Sequence, residues 1–179
     1  MNKLPEKAGA ARPQRGRPRT GARFAAVQAL FQSDHGGESA ETVIDQFVRH
    51  RIGDVLDGRA GDGFEDGRVP EADVPLFVAI VRAAAKNAET LDPIIARHLA
   101  KGWPLERLDP VLRALLRAAA AELWGGGEPP ARVVITEYLD IAHGFFSGDE
   151  PRFASGVLDA LAHTLRPEEF AARAAQPAR

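Results

Sequence analysis

The sequence predicts an all-α fold, a single compact domain of about seven helices preceded by a disordered basic N-terminal arm. Three observations carry this. Apolar residues recur at three- and four-residue spacing, proline and glycine punctuate the chain at helix-length intervals, and neither an alternating apolar/polar run nor an Asn-Gly hairpin signal occurs. At 179 residues, 45% of them hydrophobic, the chain can bury one substantial core but is short for two independent domains.

Residues 1–19 mix Pro, Gly, Ala and Arg without periodicity, so they bury too little to offset ordering entropy and read as a disordered arm. Phe24, Val27, Leu30 and Phe31 then share one face of a helix over about 20–33. His35-Gly36-Gly37 stops it, and Ser39 caps a second helix carrying Val43, Ile44, Phe47 and Val48. Residues 53–70 hold five glycines among aspartates and glutamates, a composition suited to a mobile surface loop. Its acids do not meet the ligand spacing of a calcium-binding EF-hand.

Helical periodicity resumes over 71–88 through Val74, Phe77, Val78 and Val81. Asp92-Pro93 then reads as an N-cap with proline at the first helical position, opening a short helix to about residue 100. Asp109-Pro110 repeats that signal before Leu112, Leu115, Leu116, Ala119 and Leu123, and Gly125-Gly126-Gly127 ends this central helix. Pro129-Pro130 opens the next, with Val134, Tyr138, Ile141, Ala142 and Phe145 on one face. The last begins near Glu150 and Pro151 and carries Phe153, Val157, Leu158, Leu161 and Leu165 to Pro167. The domain is thus expected to span 20–167, with 168–179 a C-terminal tail.

Cysteine is absent, which excludes disulfides, thiolate zinc sites and cysteine nucleophiles and points to the cytoplasm. No segment is apolar over the roughly 18–20 residues a membrane-spanning helix needs. Pro5, Pro13 and Pro18 interrupt any amphipathic transit helix in the arm. The triple glycine is followed by Glu128 rather than by the Gly-Lys-Ser/Thr of a phosphate loop. Glu137, Asp140 and His143, and likewise Asp159 and His163, lie at helical spacing, but a di-iron bundle requires two Glu-x-x-His motifs. These read as solvated helix charges, with no cofactor and no metal expected. His35, His50 and His98 read as surface residues.

Charge separates the chain into two parts. Seven basic residues face only Glu6 before Phe24, for a net +6, whereas the remainder carries 16 basic and 24 acidic residues, for a net −8. Flexible arginines suit a polyanion, through bidentate phosphate contacts and counterion release. The acidic body disfavours a long duplex and suits a short single strand or a basic protein partner.

Four strings carry a specific resemblance: RFAAVQALFQSD at 23–34, WPLERLDPVLRALLRAAAAELW at 103–124, PARVVITEYLDIAHGFF at 130–146 and FASGVLDALAHTLRP at 153–167. In order and spacing they resemble the NusB family of bacterial transcription antitermination factors, from about Arg19 to Pro167. The resemblance implies a non-enzymatic seven-helix domain that pairs with NusE and recognises the single-stranded boxA element of nascent ribosomal RNA. The complex would join the elongating RNA polymerase and help it pass terminators.

The family's RNA-facing surface maps onto Arg15, Arg17, Arg19 and Arg23, onto Gln28 and Phe31, and onto Asp149, Arg152, Phe153 and Ser155. Arginines supply phosphate contacts, Gln28 can donate to and accept from a base edge, and an exposed Phe153 can stack on an unpaired base. Phe31 also completes the apolar stripe and reads slightly better as core, while Phe153 reads equally as either. Asp149 suits capping or register near a helix N-terminus. Ser155 stands where the family commonly has asparagine, in FVNGVLD, and Thr136 replaces another. Two other readings remain: an RNA-guiding module for a separately encoded RNA methyltransferase, and a self-associating helical protein that forms a homodimer.

Overall fold

The computed structural model describes residues 17–52 and 71–174, except the side chains of 172–174. The sequence readings for residues 1–16 and for the loop at 53–70 lie outside the described residues. Among the described residues eight α-helices form, α1 (Pro18–Gly36), α2 (Ala40–His50), α3 (Val74–Lys86), α4 (Ala88–Arg97), α5 (Pro110–Trp124), α6 (Ala131–Phe145), α7 (Glu150–Leu165) and α8 (Glu168–Ala174), with a 3-10 turn at Leu105–Arg107. No strand occurs among the described residues, so the fold is all-α.

Local capping chemistry sets most boundaries. The Ser39 hydroxyl accepts from the Thr42 amide at the start of α2, and Asp73 accepts from the Leu76 amide before α3. Asp109 accepts from both Val111 and Leu112, with Pro110 opening α5. Helix α1 starts at Pro18, earlier than expected, because a proline at the first helical position needs no amide partner.

Asp92-Pro93 does not start a helix. Helix α4 begins at Ala88, directly after Asn87, and carries Pro93 inside it. The Asp92 carboxylate instead receives Arg117 of α5, at 2.8 and 2.6 Å. Pro93 is exposed, so water can serve the carbonyl that its missing amide leaves free.

Helix α5 is the central element, with Leu112, Leu115, Leu116 and Leu123 buried beside the alanine run 118–121. Ala22, Ala25, Ala26 and Ala29 give α1 a similarly flat, fully buried face, and small side chains allow close approach of helix axes. Arg23 meets Glu122 and Asp34 meets Arg113 and Arg117, so α1 and α5 run antiparallel. Arg166, just past α7, binds the Leu123 and Glu122 carbonyls, so α7 runs parallel to α5 and their N-termini share one end of the bundle.

Of the segment read as a tail, Glu168–Ala174 form α8. Glu169 caps α6 by accepting from the Ala131 amide at 2.7 Å, and Phe170 stacks on His163 with ring centroids 3.9 Å apart. Among the described residues no group of three or more metal-ligating side chains gathers, and no helix is long and apolar enough to cross a membrane.

Candidate RNA-binding surface

The arginines read from the sequence separate into two environments. Arg17, in extended backbone at the N-cap of α1, and Arg19 are exposed; Arg15 lies outside the described residues. Arg23 points the other way and is only 2% exposed. Its Nε and Nη2 reach Glu122 at 2.9 and 2.6 Å, and its Nη1 reaches Glu137 at 3.2 Å. Thr20 donates to the same Glu137 oxygen at 2.6 Å.

Burial opposes the charge on Arg23, but the hydrogen bond and charge of Glu122 outweigh it and hold the guanidinium above its ordinary pKa. Tyr138 lies in the same cluster, and burial, followed by the charge of Glu122, pushes its phenol well up. The sequence-based assignment of Arg23 to the RNA face is therefore corrected. Its Nε, Nη1 and Nη2 each bond a carboxylate of Glu122 or Glu137, and it joins α1 to α5 and α6.

Gln28 and Phe31 lie farther along α1, in a groove of about 470 Å³ that is also lined by Gln32, His35, Arg51 and Phe145. Phe31 is half-buried and stacks on His35 at 5.5 Å between centroids, 17° from parallel. Phe145 stacks on Phe24 at 4.8 Å and 3°, forming an aromatic floor. Arg51 lies over the Phe47 ring at 4.8 Å, which leaves a cation at the rim.

The two groove glutamines differ in one respect. Gln32 donates to Glu38 and Gln46 at 2.9 and 2.5 Å, and Gln46 also donates to Glu38; these amide bonds lower the Glu38 pKa. The Gln28 Oε1 is buried and has no hydrogen-bond partner among the described residues. It is an unused buried acceptor on a residue that also lines the aromatic-walled groove.

The start of α7 lies at this same end, because α6 ends at groove residue Phe145 and α7 follows at Glu150. Asp149 is exposed and makes no side-chain cap, so the expected capping role is not realised. Arg152 is exposed, Ser155 is half-buried, and Phe153 is half-buried against the core. The groove and the α7 start thus gather Gln28, Phe31, Arg152, Phe153 and Ser155. Arg17 and Arg19 sit at the other end of α1, roughly 18–21 Å from Phe31 at 1.5 Å per residue.

Sequence reading missed Arg51, Gln32 and Val111 as groove residues. Arg51 carried one signal, a cation directly after the apolar face of α2 and before the glycine-rich segment. Val111 lines the groove from the start of α5, a juxtaposition that no local pattern encodes.

The family model described as "NusB family" matches residues 20–163. The chain belongs to the NusB family. It is 63% identical over 158 residues to the transcription antitermination protein NusB of Granulibacter bethesdensis, covering 88% of this chain and 95% of that protein. It is 52% identical over 145 residues to the NusB of Gluconobacter oxydans, covering 81% and 86%.

Among solved structures it resembles T. maritima NusB, with a TM-score of 0.67, 26% identity and coverage of 87% of this chain and 98% of that one. It also resembles a crystal structure of antitermination factors NusB and NusE in complex with dsRNA, with a TM-score of 0.61, 25% identity and coverage of 81% and 96%. NusB proteins are non-enzymatic transcription antitermination factors, and the chain shares that class.

Proposed function

We propose that this NusB-family chain is an RNA-binding adaptor. With NusE it recognises the single-stranded boxA element of nascent ribosomal RNA in the cytoplasm and supports processive transcription by RNA polymerase. The observation that carries the reading is the unused acceptor of Gln28, a residue that lines an aromatic groove at the end of the bundle where Arg152 and Phe153 open α7.

A base entering the groove supplies the donor that Gln28 lacks and a ring to stack beside Phe31. Arg51 and Arg152 meet phosphates. Ser155 offers one hydroxyl, fewer contacts than an asparagine amide. Arg15, Arg17 and Arg19 add salt-sensitive affinity rather than base choice. The solved complex of a NusB with NusE and RNA supports the partner assignment, and the acidic body suits a basic protein.

The test measures binding of a boxA-like single strand with and without NusE, at two salt concentrations, for the parent chain, a chain lacking residues 1–16, and Phe153→Ala. The truncated chain should lose affinity and show a flatter salt dependence, by about 0.7 log units per log unit of salt for each phosphate that the arm no longer neutralises. Phe153→Ala should lose affinity at both salts. Equal binding of unrelated strands by all three proteins would refute the reading.

A further inference from the structure

Away from the groove, the turn after α4 presents an indole that the helical bundle does not need. Trp103 is 50% exposed, and it is held there by construction. Its amide donates to the Ala100 carbonyl at 2.9 Å, and Gly102 turns the chain in the left-handed region at φ +79. Pro104 then stiffens the exit.

The indole borders a shallow depression of about 530 Å³ that Arg97, Leu99, Lys101 and Pro104 also line. Arg97 and Lys101 are exposed and form no ion pair among the described residues. No acidic residue occurs between Asp92 and Glu106, and Asp92 is already bound to Arg117. A basic and aromatic patch thus interrupts a body whose net charge is −8.

Seven residues separate Pro104 from groove residue Val111, so their backbones are at most about 24 Å apart. An aromatic face beside unpaired cations is the chemistry of sequence-tolerant single-strand binding, in which bases stack and phosphates pair. An acidic protein segment would satisfy the cations but has no special need of a flat indole. We propose that Trp103, Arg97 and Lys101 form a second contact for single-stranded RNA that runs out of the groove. One base stacks on the indole, and adjacent phosphates pair with the two cations. This inference rests on the RNA-binding reading of the groove.

Trp103 and Trp124 are the only tryptophans, so a Trp124→Phe chain reports from Trp103 alone. It is titrated with a boxA-like single strand of about 12 nucleotides, with one of about 6 that only fills the groove, with a duplex of the longer sequence, and with polyglutamate. Filter binding follows RNA in parallel. The longer single strand should quench the indole saturably while the short strand and the duplex do not. In the otherwise unaltered chain, Trp103→Ala should weaken the longer strand at least about fivefold, with Trp103→Phe restoring most of that affinity. The charge-reversed pair Arg97→Glu and Lys101→Glu, introduced into the Trp124→Phe chain, should abolish quenching.

RNA bound with silent indole emission, and with equal affinity for Trp103→Ala, would overturn the patch and leave the groove reading standing. Quenching by polyglutamate but not by RNA would reassign the patch to an acidic protein. No RNA binding by any chain would remove both readings.

Discussion

Arg23 and Glu122 meet side-on inside the bundle, Nε to Oε2 at 2.9 Å and Nη2 to Oε1 at 2.6 Å, although 99 residues separate them in the chain. With Glu137 and Thr20 on the same cluster, this pair ties the first helix to the central one, so the arginine is part of the scaffold. Removing one member of a buried pair strands the other charge and destabilises by about 3–5 kcal/mol. Arg23→Ala should lose that much in urea denaturation, and Arg23→Lys less, since an ammonium lacks the planar fork. RNA affinity of the folded Arg23→Ala protein should stay close to that of the parent. Full stability combined with diminished RNA affinity would return Arg23 to the RNA face.

Tyr138 is the only tyrosine, so its ionisation can be followed without interference by ultraviolet absorbance. Burial and the neighbouring Glu122 raise its pKa in the folded chain, so the folded state holds the proton more tightly than the unfolded state does. The associated stability is complete below the unfolded tyrosine value of about 10 and is lost as pH rises towards the folded value. Phenolate absorbance should therefore appear cooperatively, together with loss of helical circular dichroism. A simple one-proton curve near 10 with the helices intact would contradict the buried placement.

Arg166 spends its guanidinium on four backbone carbonyls, those of Leu123, Glu122, Gly127 and Pro129, and on Glu169. It fixes the α5–α6 connection and the start of α8. The contacts to Leu123 and Pro129 are fully buried, and each stranded acceptor costs about 1–3 kcal/mol. Arg166→Ala should thus lose about 2–6 kcal/mol in thermal or urea unfolding. Arg166→Lys should recover little of it, because one ammonium cannot span acceptors on two sides. Wild-type stability in either variant would show that water replaces these bonds.

Helix starts were legible wherever the signal was local. Ser39 and Asp109 each cap the helix that they immediately precede. Asp92-Pro93 carries the same letters as Asp109-Pro110, but Arg117 of α5 claims its carboxylate, a competition invisible along the chain. Arg23 did carry a signal, since Ala26, Val27 and Leu30 follow at i+3, i+4 and i+7 and place it on the buried face of α1. Clustering with the arm arginines obscured it. The groove was only half legible: Gln28 and Phe31 lie on one helix, whereas Arg51, Val111 and Phe145 arrive from three others. The α8 segment is too short and too charged to display a period.

Gln28 gives the sharpest separation between stability and function. Its Oε1 is buried without a partner among the described residues, while Gln32, one turn on, is bonded to Glu38 and Gln46. An unsatisfied buried acceptor weakens the free protein, so the apolar Gln28→Leu should leave stability unchanged or raise it by about 1 kcal/mol. The same change removes the acceptor proposed to meet a base, so affinity for a boxA-like single strand should fall about tenfold, or about 1.4 kcal/mol. Gln32→Leu should behave oppositely: it removes the donor to Glu38 Oε2 and Gln46 Oε1 and leaves only the Gln46–Glu38 bond, lowers stability, and perturbs RNA binding less. Urea denaturation and RNA titration of both variants measure all four quantities. A destabilised Gln28→Leu that binds RNA like the parent would show that Gln28 serves the fold and that the groove is read by other residues.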